Sequence, residues 1–130
     1  MRRFALIAAA CACLFGATDE VSFQKEMKEI NEHAGVLRKT TPRTGAEVAA
    51  HAEKIAELYE AQKTFWSERK ADDAIKLAED GKAAALQLAT AAKAGDAAAA
   101  DVAFKAVGGT CSGCHMAHRE KLADGTYKIK

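Results

Sequence analysis

The chain has 130 residues, which is enough for one domain with a modest hydrophobic core. Its 19 Lys and Arg residues nearly balance its 18 Asp and Glu residues. A chain so close to neutral lacks the basic surface of a general nucleic-acid-binding protein, so we expect no nucleic-acid partner.

The first 17 residues have the pattern of a secretory signal peptide. A charged start, MRR, is followed by an apolar run, FALIAAACACLFGA, which is too short to span a bilayer as a helix. We expect cleavage after Ala17 and a mature domain over residues 18–130. Acylation of Cys11 or Cys13 as a lipoprotein is the alternative, although neither has a leucine three positions earlier. Either way the mature chain would reside in an oxidising compartment.

The rest of the chain is rich in alanine, and its apolar residues recur at spacings of three and four, which predicts helices and no strands. The predicted helices cover about 19–40, 46–67, 71–94 and 97–122. Pro42 and Gly45 interrupt the pattern after the first helix, Gly95 and Asp96 after the third, and the Asp124-Gly125 turn follows the fourth. Four helices of similar length with short connections favour an all-α fold, an antiparallel up-down four-helix bundle, in one domain.

Each predicted helix has an apolar face that we expect to point into the core. In the first two helices these faces comprise Phe23, Met27, Ile30, Ala34, Leu37, Val48, Ala52, Ile55, Leu58 and Tyr59. In the last two they comprise Ile75, Ala78, Leu86, Ala89, Phe104, Val107, Cys111, Cys114, His115, His118 and Leu122. Trp66 is predicted to be a core anchor between helices.

Residues 111–115 read Cys-Ser-Gly-Cys-His, which matches C-x-x-C-H, the attachment signature of c-type haem. Two thiols three residues apart on a helix can add to the two vinyl groups on one edge of a porphyrin, and the next residue then directs an imidazole towards the iron. We therefore expect one covalently bound haem c, with Cys111 and Cys114 as the attachment residues. His115 is the expected proximal iron ligand.

Other interpretations of the two cysteines have less support. A thioredoxin-like redox pair needs a βαβ unit, whereas this sequence predicts no strands. A structural zinc site needs a second pair of ligands, and a simple disulfide would leave His115 without a role. Gly108 and Gly109, just before the motif, are poor helix residues. They indicate either close approach of the porphyrin to the backbone or a local kink.

The motif lies so near the C-terminus that no residue after it can reach the opposite face of the iron. With the export signal, the four-helix pattern and C-x-x-C-H followed by Arg119, the sequence resembles the class II cytochromes c, the cytochrome c′ family. The segment FWSERK is similar to tryptophan-containing segments of low-spin members. The family motif has Phe or Tyr where this chain has His118, which implies a more polar environment beneath the ring.

The resemblance implies one of two functions. In low-spin members a methionine of the first helix ligates the iron and the protein carries single electrons, and Met27 is the expected distal ligand here. In the other members the iron is five-coordinate and binds nitric oxide or carbon monoxide, and Met27 would then only pack. We expect the first function, in the periplasm, with redox partner proteins of unknown identity and no catalytic role. The resemblance also implies a homodimer through the first two helices as a candidate assembly.

The remaining histidines have less specific expectations. His33 lies six residues beyond Met27, so it is rotated away from that side chain and is predicted to be solvated, with iron ligation as its rival role. His51 is expected at the edge of the bundle. His118 is expected either to hydrogen-bond near a haem propionate or to pack. Arg119 is expected near the proximal imidazole or a propionate, with a surface ion pair as the alternative.

Overall fold

The computed structural model describes residues 19–130, and the predicted signal peptide and its cleavage site lie outside them. The elements in chain order are α1 Glu20–Lys39, α2 Ala46–Glu68, α3 Asp72–Lys93, α4 Ala97–His118, β1 Arg119–Lys121 and β2 Tyr127–Ile129. The predicted all-α four-helix bundle is confirmed. The predicted helix bounds agree with these to within one residue, except at the end of α4.

Side-chain caps set the starts of two helices. The Asp19 carboxylate accepts a hydrogen bond from the backbone N–H of Ser22 at 2.7 Å, and Asp96 accepts one from the N–H of Ala99 at 3.0 Å. Each cap supplies a partner for a first-turn N–H group that has none within its helix. Gly95, with φ of 72°, ends α3 in the left-handed conformation that the sequence predicted at this position.

Consecutive helices run antiparallel, as the pairing of their side chains shows. His33 of α1 contacts His51 of α2, whereas the earlier Met27 contacts the later Gln62. The same order holds for α2 with α3 and for α3 with α4, in the pairs Glu53–Lys93, Lys63–Glu79, Tyr59–Gly81, Gly81–Thr110 and Asp73–His118. The short loops therefore place each helix beside the next.

The centre of the bundle is filled by large apolar side chains with almost no exposed surface, namely Leu37, Ile55, Phe65, Leu88 and Val107. α1 packs mainly on α2, α2 on α3, and α3 on α4. Because the contacts follow chain order, α1 and α4 are not packed tightly on each other. The space between them is a cavity.

The predicted inward faces of α1, α2 and α4 are confirmed, because every residue on them is buried or half-buried. On α3 the prediction of Leu86 is wrong: its side chain is 45% exposed, and Leu88 is fully buried instead. The alanines of α3 are distributed over several of its faces, so the spacing of apolar residues alone does not determine which face points inward.

The C-terminal segment differs most from its prediction. α4 ends at His118 rather than near Leu122, and β1 and β2 form an antiparallel hairpin in which Arg119 lies opposite Ile129. The predicted Asp124-Gly125 turn connects them: Gly125 has φ of 86°, and the Asp124 carboxylate accepts hydrogen bonds from the N–H and hydroxyl of Thr126. The turn brings the two short segments into register, and strand pairing replaces the last turn of the expected helix.

No helix within residues 19–130 combines the length and the apolar character needed to cross a membrane.

Candidate functional site

The C-x-x-C-H motif lies near the C-terminal end of α4. Cys111, Cys114 and His115 are each half-buried, and both cysteines carry free thiols. The helix is continuous through Gly108 and Gly109. Because residues three and four apart share a helix face, the two thiols and the imidazole project towards the same side of α4.

Three cavities lie beside the motif, and both Met27 and His115 line all three. The largest, of about 640 Å³, lies between α1 and α4. The second, of about 330 Å³, is bounded by α1, α2, α4 and the hairpin, and the third, of about 20 Å³, lies between the helices. The bundle therefore brings the expected proximal and distal residues to one common space from two different helices.

The walls of this space are mainly apolar. Phe23 stacks on Phe65 with ring centroids 4.0 Å apart, and Trp66 packs edge-on against both rings. Trp66 is a core anchor, as predicted, and it also lines two of the three cavities. Ile129 of the hairpin closes one side. Walls of this kind can accept a large apolar ring and exclude water from it.

The charged residues that line the two larger cavities are all basic. They are Lys28, Arg38, Arg119 and Lys128, and no Asp or Glu lines either space. This asymmetry is a local property, because the whole chain carries nearly equal numbers of basic and acidic residues. The cavity is suited to an apolar group with carboxylates at its edge.

The surroundings of His115 favour its neutral form. Burial lowers the pKa of the imidazole, and the nearby positive charge of Arg119 lowers it further. A neutral imidazole has a free lone pair, which is the form in which histidine binds a metal.

The thiol of Cys114 is held in its protonated form. Burial raises its pKa to about 11, and the proximity of Asp73 and Cys111 acts in the same direction. Redox-active cysteines have lowered pKa values, so this environment does not support the thioredoxin-like interpretation. Among residues 19–130, no group of three or more His, Cys, Asp or Glu side chains is placed to hold a metal ion, so the zinc interpretation also gains no support.

Met27 is held by a residue whose role the sequence did not indicate. The thioether sulfur accepts a hydrogen bond from the amide Nε2 of Gln62 at 2.7 Å, and Gln62 is only 4% exposed. Gln62 lies three residues after Tyr59 and four before Trp66, on the inward face of α2. That helical spacing is the signal that could have identified it.

A second polar contact lies beside the motif. The Tyr59 hydroxyl is 3.0 Å from the hydroxyl of Thr110 and 3.2 Å from the sulfur of Cys111. Burial of the ring is the main cause that raises the pKa of Tyr59 far above its ordinary value. The sequence placed Tyr59 in the core but gave no indication of these contacts.

His33 and His51 lie against each other, with their Nδ1 atoms 2.7 Å apart. Both side chains are half-buried between α1 and α2, so the predicted solvation of His33 is only partial. Neither residue lines any of the three cavities.

His118 ties the hairpin to the bundle. Its Nε2 lies 2.8 Å from a carboxylate oxygen of Asp73, and its Nδ1 lies 3.2 Å from the carbonyl oxygen of Lys130. The imidazole also packs on Trp66, with ring centroids 4.7 Å apart. His118 therefore occupies the position of the expected aromatic residue as a packed ring. Arg119 places its guanidinium over the ring of Tyr127, 4.2 Å from the centroid.

The residues present fit a covalently attached haem. Two free thiols, a half-buried imidazole and a methionine line the small central cavity together. The two larger cavities beside it have mainly apolar walls, and their charged residues are basic. The hairpin, which the sequence prediction missed, supplies part of the wall.

Comparison with known proteins also indicates a protein with covalently attached haem. The family model described as Cytochrome C′ matches residues 16–119. A cytochrome c′ of Pararhodospirillum photometricum is 42% identical over 96 residues. The match covers 58% of this chain and 72% of the relative. No solved structure matches the chain. The chain therefore belongs to the cytochrome c′ family, whose members carry covalently attached haem c, typically one per chain.

Proposed function

We propose that this protein is a low-spin, methionine-ligated member of the family that carries single electrons in the bacterial periplasm. In this proposal Cys111 and Cys114 form the thioether bonds to the haem, His115 is the proximal iron ligand and Met27 is the distal ligand. One observation carries it: Met27 of α1 and His115 of α4 line all three cavities between the helices.

Haem iron, when bound, supplies a one-electron couple. The chain contributes the neutral imidazole of His115 and the thioether of Met27, and a thioether ligand favours the reduced state. The rings of Phe23 and Trp66 exclude water, which limits the solvent rearrangement that accompanies a change of iron charge. Arg119, which lines both larger cavities, can pair with a haem carboxylate.

The test is the optical spectrum of the purified ferric and ferrous protein, with Met27→Ala and Met116→Ala beside it. Met116 is the matched control, because it follows His115 directly but is 80% exposed and lines none of the three cavities. We expect a low-spin ferric spectrum with the far-red sulfur-to-iron band. That band should disappear in Met27→Ala and persist in Met116→Ala.

A low-spin spectrum that lacks the band and is unchanged in Met27→Ala would refute the proposed ligand. It would direct the search to a different distal ligand. Covalent attachment is tested separately: acid-acetone should leave haem on the native protein and extract it from the Cys111→Ala, Cys114→Ala double variant.

The second candidate function is binding of nitric oxide or carbon monoxide at a five-coordinate iron. The observation that favours it is that Met27 packs against both hydrophobic clusters of the bundle, so packing alone accounts for its burial. A high-spin spectrum that changes readily with carbon monoxide and is unaffected by Met27→Ala would support this function and exclude the first.

The proposal includes a homodimer formed through α1 and α2. α1 carries two exposed valines, Val21 at 78% and Val36 at 40% exposure. Sedimentation of the native protein and of Val36→Glu tests this assembly. We expect the native protein to sediment as a dimer. The variant should dissociate at protein concentrations at which the native protein is still dimeric, because the new carboxylate would lie in an apolar contact.

A further inference from the structure

Among residues 19–130, Gln62 is the only polar or charged residue, aromatic residues aside, that is almost completely buried. An amide buried in an apolar interior costs free energy unless good partners satisfy it. The partner of the Gln62 NH₂ group is the sulfur of Met27, and a thioether is a weak acceptor. A leucine of similar size would avoid that cost, so stability does not explain a glutamine at this position.

The place of Gln62 in the site suggests a different role. It lines the small central cavity together with Met27, Cys111, Cys114 and His115. Its amide therefore contacts the Met27 sulfur from α2. Met27 itself lines the same small cavity as His115. A thioether sulfur has two lone pairs, so one can accept the N–H of Gln62 while the other stays available to a metal.

We propose that Gln62 is a positioning residue that holds the Met27 sulfur for iron ligation and sets the strength of the iron–sulfur bond. This inference rests on the proposed function, in which Met27 is the distal ligand.

Two physical effects follow from the hydrogen bond. Methionine has three rotatable bonds beyond its backbone, so an untethered Met27 would lose more freedom when its sulfur becomes a ligand. The N–H of Gln62 also draws electron density from the sulfur, which weakens donation to ferric iron more than to ferrous iron. Hydrogen bonds to the ligands are one of the means by which a protein sets a haem potential. Both effects make Gln62 favour a methionine-ligated, reduced iron.

The experiment compares the haem-loaded native protein with Gln62→Leu, which keeps the approximate volume and removes the donor. Gln87→Leu is the matched control, because it makes the same chemical change at an exposed position of α3 outside the three cavities. The readouts are the far-red sulfur-to-iron band, the midpoint potential and the rate of carbon monoxide binding to the ferrous protein.

We expect Gln62→Leu to weaken the far-red band, to lower the midpoint potential and to raise the rate of carbon monoxide binding by about tenfold, the size of effect typical for a residue that orients a metal ligand. Gln87→Leu should change none of the three. Gln62→Asn is a second variant in case Gln62→Leu does not fold. It keeps an amide but withdraws the donor from the sulfur, so it should shift the readouts in the same direction.

A folded Gln62→Leu with native band, potential and carbon monoxide rate would overturn the role of Gln62 while leaving Met27 as the ligand. If the native protein lacks the far-red band, or keeps it in Met27→Ala, the proposed ligation itself fails and the role of Gln62 fails with it. The spectra of native protein and Met27→Ala therefore separate the two failures.

Discussion

The imidazole Nε2 of His118 lies 2.8 Å from the carboxylate of Asp73, so the last residue of α4 is tied to the first turn of α3. Lys130 completes the link, because its carbonyl oxygen lies 3.2 Å from the Nδ1 of His118 and its N–H donates to the carbonyl of the same residue at 3.0 Å. The hairpin that walls the second cavity is thereby fixed at both of its ends.

We predict that Asp73→Ala loosens the hairpin without unfolding the bundle. The variant removes the acceptor of His118, whereas Asp72→Ala, the matched control, removes a neighbouring first-turn carboxylate that does not bind His118. Amide hydrogen exchange at Tyr127 to Lys130 should accelerate in the first variant and stay native in the second. Equal exchange in both variants would show that the contact between Asp73 and His118 does not hold the hairpin.

The same contact predicts an acid dependence. The hydrogen bond from His118 is the main cause that lowers the pKa of Asp73 below its ordinary value of 3.8. A carboxylate with a lowered pKa stabilises the folded state above that value, and this contribution is lost as the pH falls through the lower, folded pKa. The contribution of Asp73 to the exchange protection of the hairpin should therefore be complete above pH 3.8 and decline below it. In Asp73→Ala the decline in protection should be smaller.

The hairpin also shows where prediction from this sequence reached its limit. The Asp124-Gly125 turn was predicted, but each strand beside it has only three residues. In strands this short, apolar and polar residues hardly alternate, so the sequence gives little indication of a strand. The helical spacing of apolar residues in α4 also continues to Leu122, and a longer helix was therefore predicted. The starts of α1 and α4 agree with the prediction, and each has a side-chain cap with a defined chemistry, Asp19 and Asp96 respectively.

We predict that Gly81→Ala destabilises the bundle. A Cβ at this position would lie 2.5 Å from the Cζ of Tyr59 and 2.9 Å from the hydroxyl oxygen of Thr110, so the packed ring would have to move. Overpacking of this kind costs about 1–3 kcal/mol. Gly35→Ala is the matched control, because no atom outside its own stretch of helix backbone lies within 4 Å of its Cβ position in α1. The control should gain up to about 1 kcal/mol from helix propensity.

Urea unfolding of both variants measures these changes. We expect the midpoint to fall for Gly81→Ala and to rise or stay constant for Gly35→Ala. A Gly81→Ala variant as stable as the native protein would mean that Tyr59 and Thr110 can shift at no cost.

We predict that Tyr59 remains a neutral phenol while the protein is folded. Burial raises its pKa in the folded state, whereas in the unfolded chain the phenol would ionise near 10. A raised folded pKa gives stability below the unfolded pKa, and that stability is lost as the pH rises above it. The native protein should therefore lose stability above about pH 10 more steeply than Tyr59→Phe.

The measurement is ultraviolet absorbance of phenolate in Tyr127→Phe, which leaves Tyr59 as the single tyrosine. Phenolate should form only when the far-ultraviolet circular dichroism of the helices is lost. Reversible phenolate formation in the folded variant would contradict the prediction. At neutral pH, Tyr59→Phe should cost about 1 kcal/mol, the net value of a hydrogen bond.

The candidate site was only partly predictable for a physical reason. Cys111, Cys114 and His115 are recognisable because haem attachment requires a fixed local spacing. Met27 was indicated only by the resemblance to the cytochrome c′ family, because a methionine on an apolar helix face is otherwise expected to pack. Gln62 and Tyr59 act through contacts with other helices, and no local pattern encodes which partner each side chain meets. Their polar groups become informative only when the packing places them beside Met27 and Cys111.

The last prediction concerns two neighbouring glycines of α4, Gly108 and Gly109. No atom outside the adjoining helix backbone lies within 4 Å of the Cβ position of either residue. Gly108 lines the largest cavity, whereas Gly109 lines none of the three. Alanine should favour the helix by about 1 kcal/mol at both positions, because glycine is a poor helix residue. At Gly108 the added methyl group would also enter the space that the haem is proposed to fill.

We therefore expect Gly109→Ala to raise the melting temperature of the haem-loaded protein and leave its spectrum native. Gly108→Ala should raise the melting temperature less, or lower it, and should shift the main visible absorption band. Thermal unfolding and absorbance of the two variants give a direct comparison. If Gly108→Ala matches Gly109→Ala in both measurements, the haem does not approach α4 at Gly108, and the cavity of about 640 Å³ is not its place of closest contact with this helix.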